Sequence, residues 1–368
     1  MRSNRSAESD GIVIASGFGL KVYVNRGHLV VHDGIGRQRE TRRLARATSG
    51  LERLVVIGHS GFVTFEALRW IRDIGAAFCQ IGRDGEVIAV SSADRLLNPK
   101  LRRAQALAAD SEVGVRVVRE LVVEKLRGQI ALLEELRERF PDLRLATQAL
   151  PIVDKSAREI ERADDFRGVR GHEAVAGRWY WKTLAQVPIT FDRTMSRRVP
   201  EHWRRGGPRT SRASGFKGPR KAATPMHAAI NYSYAVLETE ARIALQAYGF
   251  DPALGIIHTD KRYRGSLAAD LMEPVRPLAD RVVLQLLGDP LRGQDVYETR
   301  EGVCRLGSAL TKQLTLSSPE LREALIPHAA ELSNVLLGRR GGRGHRPRRR
   351  EPGTVGKAAK LHTTPRVR

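Results

Sequence analysis

The chain has 368 residues, of which 41% are hydrophobic and 28% charged, and its formal net charge is +22 with a pI near 10.8. This composition is typical of a soluble globular protein with room for two domains. No stretch approaches the roughly 20 apolar residues that span a bilayer, and the first residues lack the apolar core of a secretory signal. These features argue against a membrane or exported protein, and we expect a cytoplasmic one.

The excess positive charge predicts a polyanionic partner. Self-repulsion of this size is tolerated most readily when phosphates offset it, so nucleic acid is the first candidate. The alternative is an arginine-rich proteome encoded by a GC-rich genome. Part of the excess lies in residues 338–368, where eleven Lys or Arg accompany a single acid, Glu351. That segment has too few apolar residues to offset the entropy of ordering it, so we predict a disordered basic tail outside the catalytic surface.

The first 92 residues are predicted to form a small β-rich domain. Short β-branched runs such as GIVIAS, LKVYVNRGHLVVHDG and LERLVVIG are separated by turn residues, and TFEALRWIRDIGA is one short amphipathic helix. Asp84-Gly85 between apolar runs indicates a hairpin. Two isolated cysteines, Cys79 and Cys304, provide neither a disulfide framework nor a zinc site, and we interpret both as core residues.

A change of period marks a second domain. After a linker at 93–100, residues 101–337 are predicted to be helical, and an apolar stripe through Val118, Val122 and Leu126 indicates a long helix that Pro141 ends. Further helices are expected from around Gly171, from 228 to 248 with Gly249 as terminator, and from 266 onward. The predicted fold class is therefore α+β, with a β-rich N-terminal domain and a larger helical domain.

A basic segment rich in Arg, Gly, Pro and Ser interrupts the helices at 193–221. It is too long for a tight connection and is predicted to approach phosphates, with a solvated linker as the alternative. Trp203 is predicted to stack on a base or wedge against a duplex. Farther along the chain, Arg276 is predicted to contact phosphate or to pair with Asp280. The candidate DNA-binding residues are Arg193, Arg197, Arg198, Trp203, Arg204, Arg205, Arg209 and Arg276.

Four residues are candidates for catalysis. His258 precedes Asp270 and Glu273, which are three residues apart and can share one helix face, while Glu173 lies far upstream in GHEAVAGRWYW. Imidazole nitrogen and carboxylate oxygen suit a divalent ion that also binds phosphate, so Mg²⁺ or Mn²⁺ is expected. In a basic chain, this combination predicts metal-dependent chemistry on nucleic acid.

Each of these residues also has a structural interpretation. Glu173 near a helix start can stabilise the helix through its interaction with the helix dipole. His258 follows an apolar run and can be a core histidine. Asp270 can simply pair with Arg264 or Lys261. If it belongs to the site, it is either an additional metal ligand or a group that supports the ligands.

The stretch NYSYAVLETEARIALQAYGFDPALGIIHTDKRYRGSLAADLMEP resembles the CRISPR-associated protein-one family, the endonuclease and integrase of spacer acquisition. Asn231 and Tyr234, the GIIHTD histidine and the SLAADLMEP acids stand in the order of that family. The segments GLERLVVIGHSGFVTFEALRWIRDIGAAFCQIGRDGEVIAV, LRRAQ, VVEKLRGQ and GHEAVAGRWYW agree with it as well. The resemblance covers residues 11–337 and leaves out the tail.

The resemblance implies a fold, an activity and partners. Matched by position, the metal-binding and catalytic residues of the family fall on Glu173, His258 and Glu273, with Asp270 as a further acid. The implied activity is metal-dependent insertion of short DNA duplexes with 3′-hydroxyl ends at the leader-repeat junction of a CRISPR array, a step of antiviral defence. The implied assembly is a homodimer, through the β-rich domains, that binds CRISPR-associated protein two.

Two alternatives stay open at this stage. One is a transposon-encoded integrase of the same superfamily, which would insert the ends of its own element. The other is a non-catalytic DNA-binding scaffold, in which the candidate ligands would serve only packing.

Overall fold

The structure, a computed structural model, describes residues 11–34, 40–82, 84–91, 98–207, 221–258 and 265–339. The strands are β1 Ile12–Ser16, β2 Leu20–Asn25, β3 His28–Asp33, β4 Glu40–Leu44, β5 Arg53–Ile57, β6 Gly61–Val63, β7 Ala77–Ile81, β8 Val87–Ser91, β9 Val296–Glu298 and β10 Cys304–Leu306. The helices are α1 Phe65–Asp73, α2 Pro99–Ala108, α3 Glu112–Arg139, α4 Arg144–Glu161, α5 Phe166–Leu184, α6 Pro225–Tyr248, α7 Ser266–Met272, α8 Arg276–Leu286, α9 Ser308–Leu316 and α10 Ser318–Leu336. Two short 3₁₀ helices, Glu201–Trp203 and Glu273–Val275, complete the elements.

Two four-stranded sheets form the N-terminal region. The first has the order β1-β5-β7-β8, with β1, β5 and β7 parallel and β8 antiparallel to β7, and the second has the order β4-β3-β2-β6. Alternate residues of both sheets and of α1 share one core that includes Leu29, Leu54 and the buried ring of Trp70. The predicted hairpin at Asp84-Gly85 joins β7 to β8. Gly85 in this turn has a positive φ of 77°, a conformation that glycine adopts without strain because it has no Cβ atom.

Strands β1 and β5 of the first sheet are buried on both faces. Val13 and Val56 point into the N-terminal core, whereas Ile14 and Ile57 belong to the same core as the helices. Successive strand residues point to opposite faces, so a sheet between two apolar layers needs apolar residues at every position. The β1 and β5 runs, IVIAS and RLVVI, are buried throughout. The sheet therefore fixes the position of the helical region.

A buried ion pair reinforces this contact. Arg53 Nε on β5 lies 3.2 Å from Glu240 Oε1 on α6, and the two side chains are 10% and 4% exposed. Two other ion pairs, which are less buried, also join the helical region to the sheets: Lys312 with Asp33 and Arg322 with Glu52. The pair formed by Arg53 is the one removed from water, so its loss costs the most.

The helical region follows most of the predicted pattern. The long helix is confirmed as α3, and α6 ends at Gly249, whose φ of 90° is the left-handed conformation expected there. The start predicted near Gly171 is wrong, since α5 begins at Phe166, where the Asp165 side chain accepts a hydrogen bond from the Gly168 amide. Both predicted core cysteines, Cys79 and Cys304, are buried.

Two further points concern the boundaries. The helix α2 begins at Pro99, within the stretch predicted as a linker, and residues 92–97 lie outside the described ones, as do residues 340–368 of the predicted tail. The strands β9 and β10 form a small antiparallel sheet between α8 and α9 that the sequence did not suggest. Among the described helices, none has the length and apolar character needed to cross a membrane.

Candidate active site

Three separate parts of the chain meet around one lysine. Lys125 lies on the buried face of α3, and its Nζ is 2.5 Å from Glu173 Oε1 on α5 and 2.8 Å from Glu273 Oε2 in the second 3₁₀ helix. Glu173 is 27% exposed at its side chain, whereas Glu273 is 3% exposed. Two of the three predicted catalytic residues are thus brought together, about 100 residues apart in the chain (273 − 173).

The α-helix gives way to a 3₁₀ turn at Glu273, which Pro274 follows. A proline has no amide hydrogen to donate and cannot continue an α-helix in this position. The helix α7 ends at Met272, the 3₁₀ turn follows, and α8 starts at Arg276. Arg276 Nη1 then reaches back to Glu273 Oε1 at 2.8 Å and lies over the ring of Tyr234.

Two cations keep the Glu273 carboxylate ionised. Burial by itself would raise the pKa of Glu273, but the charges of Arg276 and Lys125 outweigh burial and lower that pKa to about 2. Burial would likewise lower the pKa of Lys125, but Glu273 and Glu173 raise it above the ordinary value of a lysine. At neutral pH the cluster therefore consists of charged groups.

His258 completes the candidate set, and Asp270 fixes its orientation. His258 Nδ1 lies 2.5 Å from Asp270 Oδ1, and since a carboxylate only accepts, Nδ1 carries the proton. In the neutral imidazole the other ring nitrogen, Nε2, presents a lone pair, and it lies 3.9 Å from Glu273 Oε1. A hydrogen-bonded carboxylate behind an imidazole is the usual support of a metal-binding histidine.

Asp270 also holds the segment that carries His258. It is 0% exposed, and its oxygens accept hydrogen bonds from the amides of Ile256, Ile257 and His258 at 2.6, 2.9 and 3.1 Å. These contacts account for its burial. They favour the supporting role over the predicted alternative of a pair with Arg264 or Lys261, which lie outside the described residues.

Gly255 and Arg170 hold the backbone of the His258 segment in place. A Cβ atom on Gly255 would lie 2.4 Å from the carbonyl oxygen of His258, a distance that a side chain does not tolerate. Arg170 on α5 donates from Nη2 to the carbonyl oxygen of Ile257 at 2.6 Å. The helix that carries Glu173 therefore also holds the loop that carries His258.

The carboxylates of Glu173 and Glu273 and the imidazole of His258 are suitable ligands for a divalent ion. In this structure, however, Lys125 contacts both carboxylates. In the part of the chain that is described, no group of three or more His, Cys, Asp or Glu side chains is close enough to hold a metal ion. Glu273 Oε2 is buried, and its charged contact is with the Lys125 ammonium at 2.8 Å. Two carboxylates and an imidazole lone pair are the ligands that Mg²⁺ and Mn²⁺ accept.

A further carboxylate lies behind the cluster. Asp280 on α8 is 2% exposed, and its Oδ2 accepts a hydrogen bond from the Tyr180 hydroxyl at 2.6 Å. Burial raises the pKa of Asp280 to about 6, because hydrogen bonds from Tyr180 and Tyr234 and the charge of Arg276 offset it only in part. Asp280 is therefore protonated in the folded state at pH values where it is ionised in the unfolded chain.

This difference predicts a pH-dependent stability. Between about pH 4 and 6 the folded state retains a proton on Asp280 that the unfolded state has released, so stability falls as the pH rises through this range. Replacing Asp280 with Asn is expected to raise the free energy of unfolding at pH 8 by about 1–3 kcal/mol. Urea unfolding at pH 5 and pH 8 measures the effect, with the exposed Asp289→Asn as control. An equal effect of Asp280→Asn at both pH values would contradict the assignment.

Six of the eight predicted DNA-binding residues fall into three groups. Four of them are exposed: Arg193, Arg197, Arg198 and Arg205. Arg204 is half-buried, pairs with Glu201 at 3.1 Å and donates to the carbonyl oxygen of Ser196. Arg209 lies outside the described residues.

One of the predicted DNA contacts needs correction. Trp203 is 3% exposed and packs in the main core, so its ring cannot stack on a base, and that prediction is wrong. An aromatic residue in a basic segment has the same sequence signature whether it faces DNA or anchors the segment to the core. Arg276 pairs with Glu273 inside the cluster, and its contact with phosphate stays a prediction.

The sequence did not single out Lys125, Arg170 or Asp280. A signal existed for Lys125, which stands seven residues after Val118 on the apolar stripe of α3, where a lysine is out of place unless it is paired. The other two had no such signal, because their partners, the Ile257 carbonyl and the Tyr180 hydroxyl, lie 87 and 100 residues away.

The family model described as "CRISPR associated protein Cas1" matches residues 13–317. The chain belongs to this family. The predicted resemblance is thereby confirmed, and with it an enzyme of the Cas1 endonuclease and integrase class. A "CRISPR-associated endonuclease Cas1 1" from Archaeoglobus fulgidus is 27% identical over 318 residues, which are 83% of this chain and 86% of that protein. A protein of the same description from Thermus thermophilus is 32% identical over 260 residues, 66% of this chain and 71% of its own.

Solved structures share the fold of this Cas1 protein. A "Casposase bound to integration product" has a TM-score of 0.73 at 18% identity and covers 92% of this chain and 96% of its own. A Cas1 protein from Thermotoga maritima has a TM-score of 0.64 at 17% identity, covering 89% and 97%. A chain of a "Cas6-RT-Cas1--Cas2 complex" has a TM-score of 0.65 at 18% identity, and its match covers 92% of this chain and 36% of that one. The α+β fold class predicted from the sequence is confirmed.

Proposed function

We propose that this Cas1 protein is a metal-dependent DNA endonuclease and integrase that inserts short DNA fragments into a CRISPR array. In the proposed reaction a DNA 3′-hydroxyl attacks a phosphodiester of the array: a new P–O bond forms, the existing P–O bond to the 3′-oxygen of the cut strand breaks, and the proton of the attacking hydroxyl is balanced by the one that the leaving 3′-oxygen takes up. One observation carries the proposal: Glu173 and Glu273 contact the same Lys125 nitrogen, and the lone pair of His258 is directed to the same cluster. A buried, ionised Glu273 next to an oriented imidazole and a second carboxylate favours a catalytic site over a scaffold without catalysis.

The proposed ligands of a Mg²⁺ or Mn²⁺ ion are Glu173, His258 and Glu273. A bound divalent ion supplies Lewis-acid chemistry, polarising the phosphodiester and offsetting charge on its oxygens. Asp270 acts behind the ligands, where it keeps the proton on His258 Nδ1 and leaves Nε2 free to bind the ion. The exposed arginines of the 193–207 segment would bind phosphates and so position the DNA.

The proposed substrates are duplexes with 3′-hydroxyl ends and the leader-repeat junction of an array. The proposed assembly is a homodimer that binds CRISPR-associated protein two. Support comes from two proteins with this fold, one bound to an integration product and one in a complex with Cas2. The alternative of a transposon-encoded integrase has less support, because the match to the casposase rests on fold at 18% identity, whereas proteins described as Cas1 endonucleases match at 27% and 32%.

A joining assay tests the proposed function. The purified protein, with and without CRISPR-associated protein two, is incubated with a 3′-hydroxyl duplex and a supercoiled plasmid that carries a repeat array. Covalent joining is expected with Mn²⁺ or Mg²⁺, is expected to stop with a chelator, and should return when the metal is added back. A duplex with 3′-dideoxy ends is the control and should not be joined. Joining that continues in the chelator would contradict the proposal.

The exposed arginines give a separate prediction about DNA affinity. Each phosphate contact adds about 0.9 to the slope of log K against log salt concentration, so removing three should reduce the slope by about 2–3. The variant replaces three exposed arginines by alanine: Arg197, Arg198 and Arg205. The control removes three exposed charges on or next to α4 in the same way: Lys155, Arg158 and Arg162. Fluorescence anisotropy at several salt concentrations measures both, and equal slopes would remove the segment from the DNA interface.

A further inference from the structure

Lys125 has the most unusual environment of the charged residues in the site. It is 8% exposed, and its Nζ contacts one oxygen of each proposed carboxylate ligand, at 2.5 Å on Glu173 and 2.8 Å on Glu273. Its neighbours along α3, Val122 and Leu126, are both buried in the main core. The lysine stem therefore packs among apolar groups, and its ammonium is held at the cluster.

The contacts make Lys125 the cation that offsets the carboxylate pair. Glu173 and Glu273 are held next to each other, and two carboxylates at this separation repel each other unless a positive charge lies between them. Arg276 neutralises Glu273 from its other oxygen, Oε1, and the pair of Arg276 with Glu273 does not extend to Glu173. Lys125 is the cation that touches both carboxylates.

A divalent ion and the ammonium compete for the same oxygens. Mg²⁺ binds carboxylate oxygen at about 2.1 Å, so an ion that takes Glu173 Oε1 or Glu273 Oε2 lies within about 5 Å of Lys125 Nζ. Positive charges this close, with little water between them, repel strongly. Binding of the ion must therefore move the ammonium away from at least one of its two carboxylates.

We infer that Lys125 is a positioning residue that occupies the carboxylate pair in the metal-free enzyme and is exchanged for the divalent ion on loading. The inference rests on the proposed function, since it takes Glu173 and Glu273 as the ligands. In this arrangement the lysine preorganises the two carboxylates and keeps the metal-free protein folded. It also weakens metal binding, because the ion must displace a cation that is already paired.

The test compares Lys125→Met, which keeps the length of the side chain and removes the charge, with the exposed Lys155→Met on α4 as control. Two quantities are measured: the dissociation constant for Mn²⁺, from the electron paramagnetic resonance signal of free Mn²⁺, and the Tm with and without Mn²⁺. Lys125→Met is expected to bind Mn²⁺ at least tenfold more tightly than the wild type. Its Tm should fall by several degrees without metal and recover with saturating Mn²⁺.

The possible outcomes separate the explanations. A lysine with only a packing role would lower the Tm equally with and without Mn²⁺ and leave the dissociation constant unchanged, and that result would overturn the inference. Weaker Mn²⁺ binding by Lys125→Met would overturn it as well. If the variant does not fold without metal, refolding in Mn²⁺ is compared with refolding in NaCl of equal ionic strength, and rescue by Mn²⁺ alone supports the exchange. A wild-type protein that binds no Mn²⁺ would instead contradict the proposed function.

Discussion

Replacing His258 with alanine is expected to reduce metal-dependent strand transfer by about 1,000-fold or more while leaving duplex affinity within about twofold of the wild type. The alanine removes one of three proposed ligands. Its effect on folding should be small, because the His258 side chain is 27% exposed and the Asp270 carboxylate keeps its bonds to the backbone amides. The joining assay with Mn²⁺ measures the rate, and anisotropy measures binding.

The matched control is His59→Ala, which removes an exposed histidine whose ring has an edge contact with Phe18 in the N-terminal region. It should join DNA at the wild-type rate. If His258→Ala retained the wild-type rate as well, the histidine would be a structural residue, and the proposed ligand set would be wrong. A loss of joining together with a loss of duplex binding would point to a disturbed fold rather than to a missing ligand.

Replacing Arg53 with methionine is expected to lower the free energy of unfolding by about 3–5 kcal/mol. The methionine fills much of the space of the arginine stem but leaves the Glu240 carboxylate, 4% exposed, without the guanidinium that it contacts at 3.2 and 3.3 Å. An ionised group buried without its partner is among the most destabilising changes in a protein core. Urea unfolding followed by circular dichroism measures the change.

The double variant, Arg53→Met with Glu240→Met, separates the cost of an unpaired charge from the loss of the contact. Removing both charges should recover most of the lost stability, because an apolar pair of similar volume replaces a buried ion pair at little cost. Arg158→Met is the exposed control, since its pair with Asp154 leaves the side chains 67% and 45% exposed and should contribute only about 0.5 kcal/mol. A double variant no more stable than Arg53→Met alone would mean that the guanidinium packs rather than neutralises.

Local patterns predicted the secondary structure well. The apolar stripe through Val118 and Leu126 is sufficient to indicate α3, and Gly249 ends α6 because its backbone needs the left-handed conformation. The structure starts α5 at Phe166, five residues before the predicted start near Gly171, because the Asp165 side chain caps the helix there. The parallel pairing of β1 with β5 was not predictable in this way, because the 36 residues between Ser16 and Arg53 leave the pairing open.

The candidate site was predictable in its residue types but not in its geometry. Asp270 and Glu273 share a helix face in any α-helix, yet they have different tasks, one supporting the His258 segment and the other facing Lys125. Trp203 shows the limit from the other side. Its sequence context favoured contact with DNA, and the fold instead buries its ring in the main core.

The sequence by itself determined the family, the α+β class and the identity of the donor residues, because helix periodicity and residue chemistry are local properties. Only the tertiary structure decided that the Lys125 ammonium on α3 contacts both Glu173 and Glu273. The physical reason is that a charge leaves water only when folding brings a partner to it, and those partners are 48 and 148 residues away (173 − 125 and 273 − 125). The spacing of these residues along the chain therefore does not predict their contact.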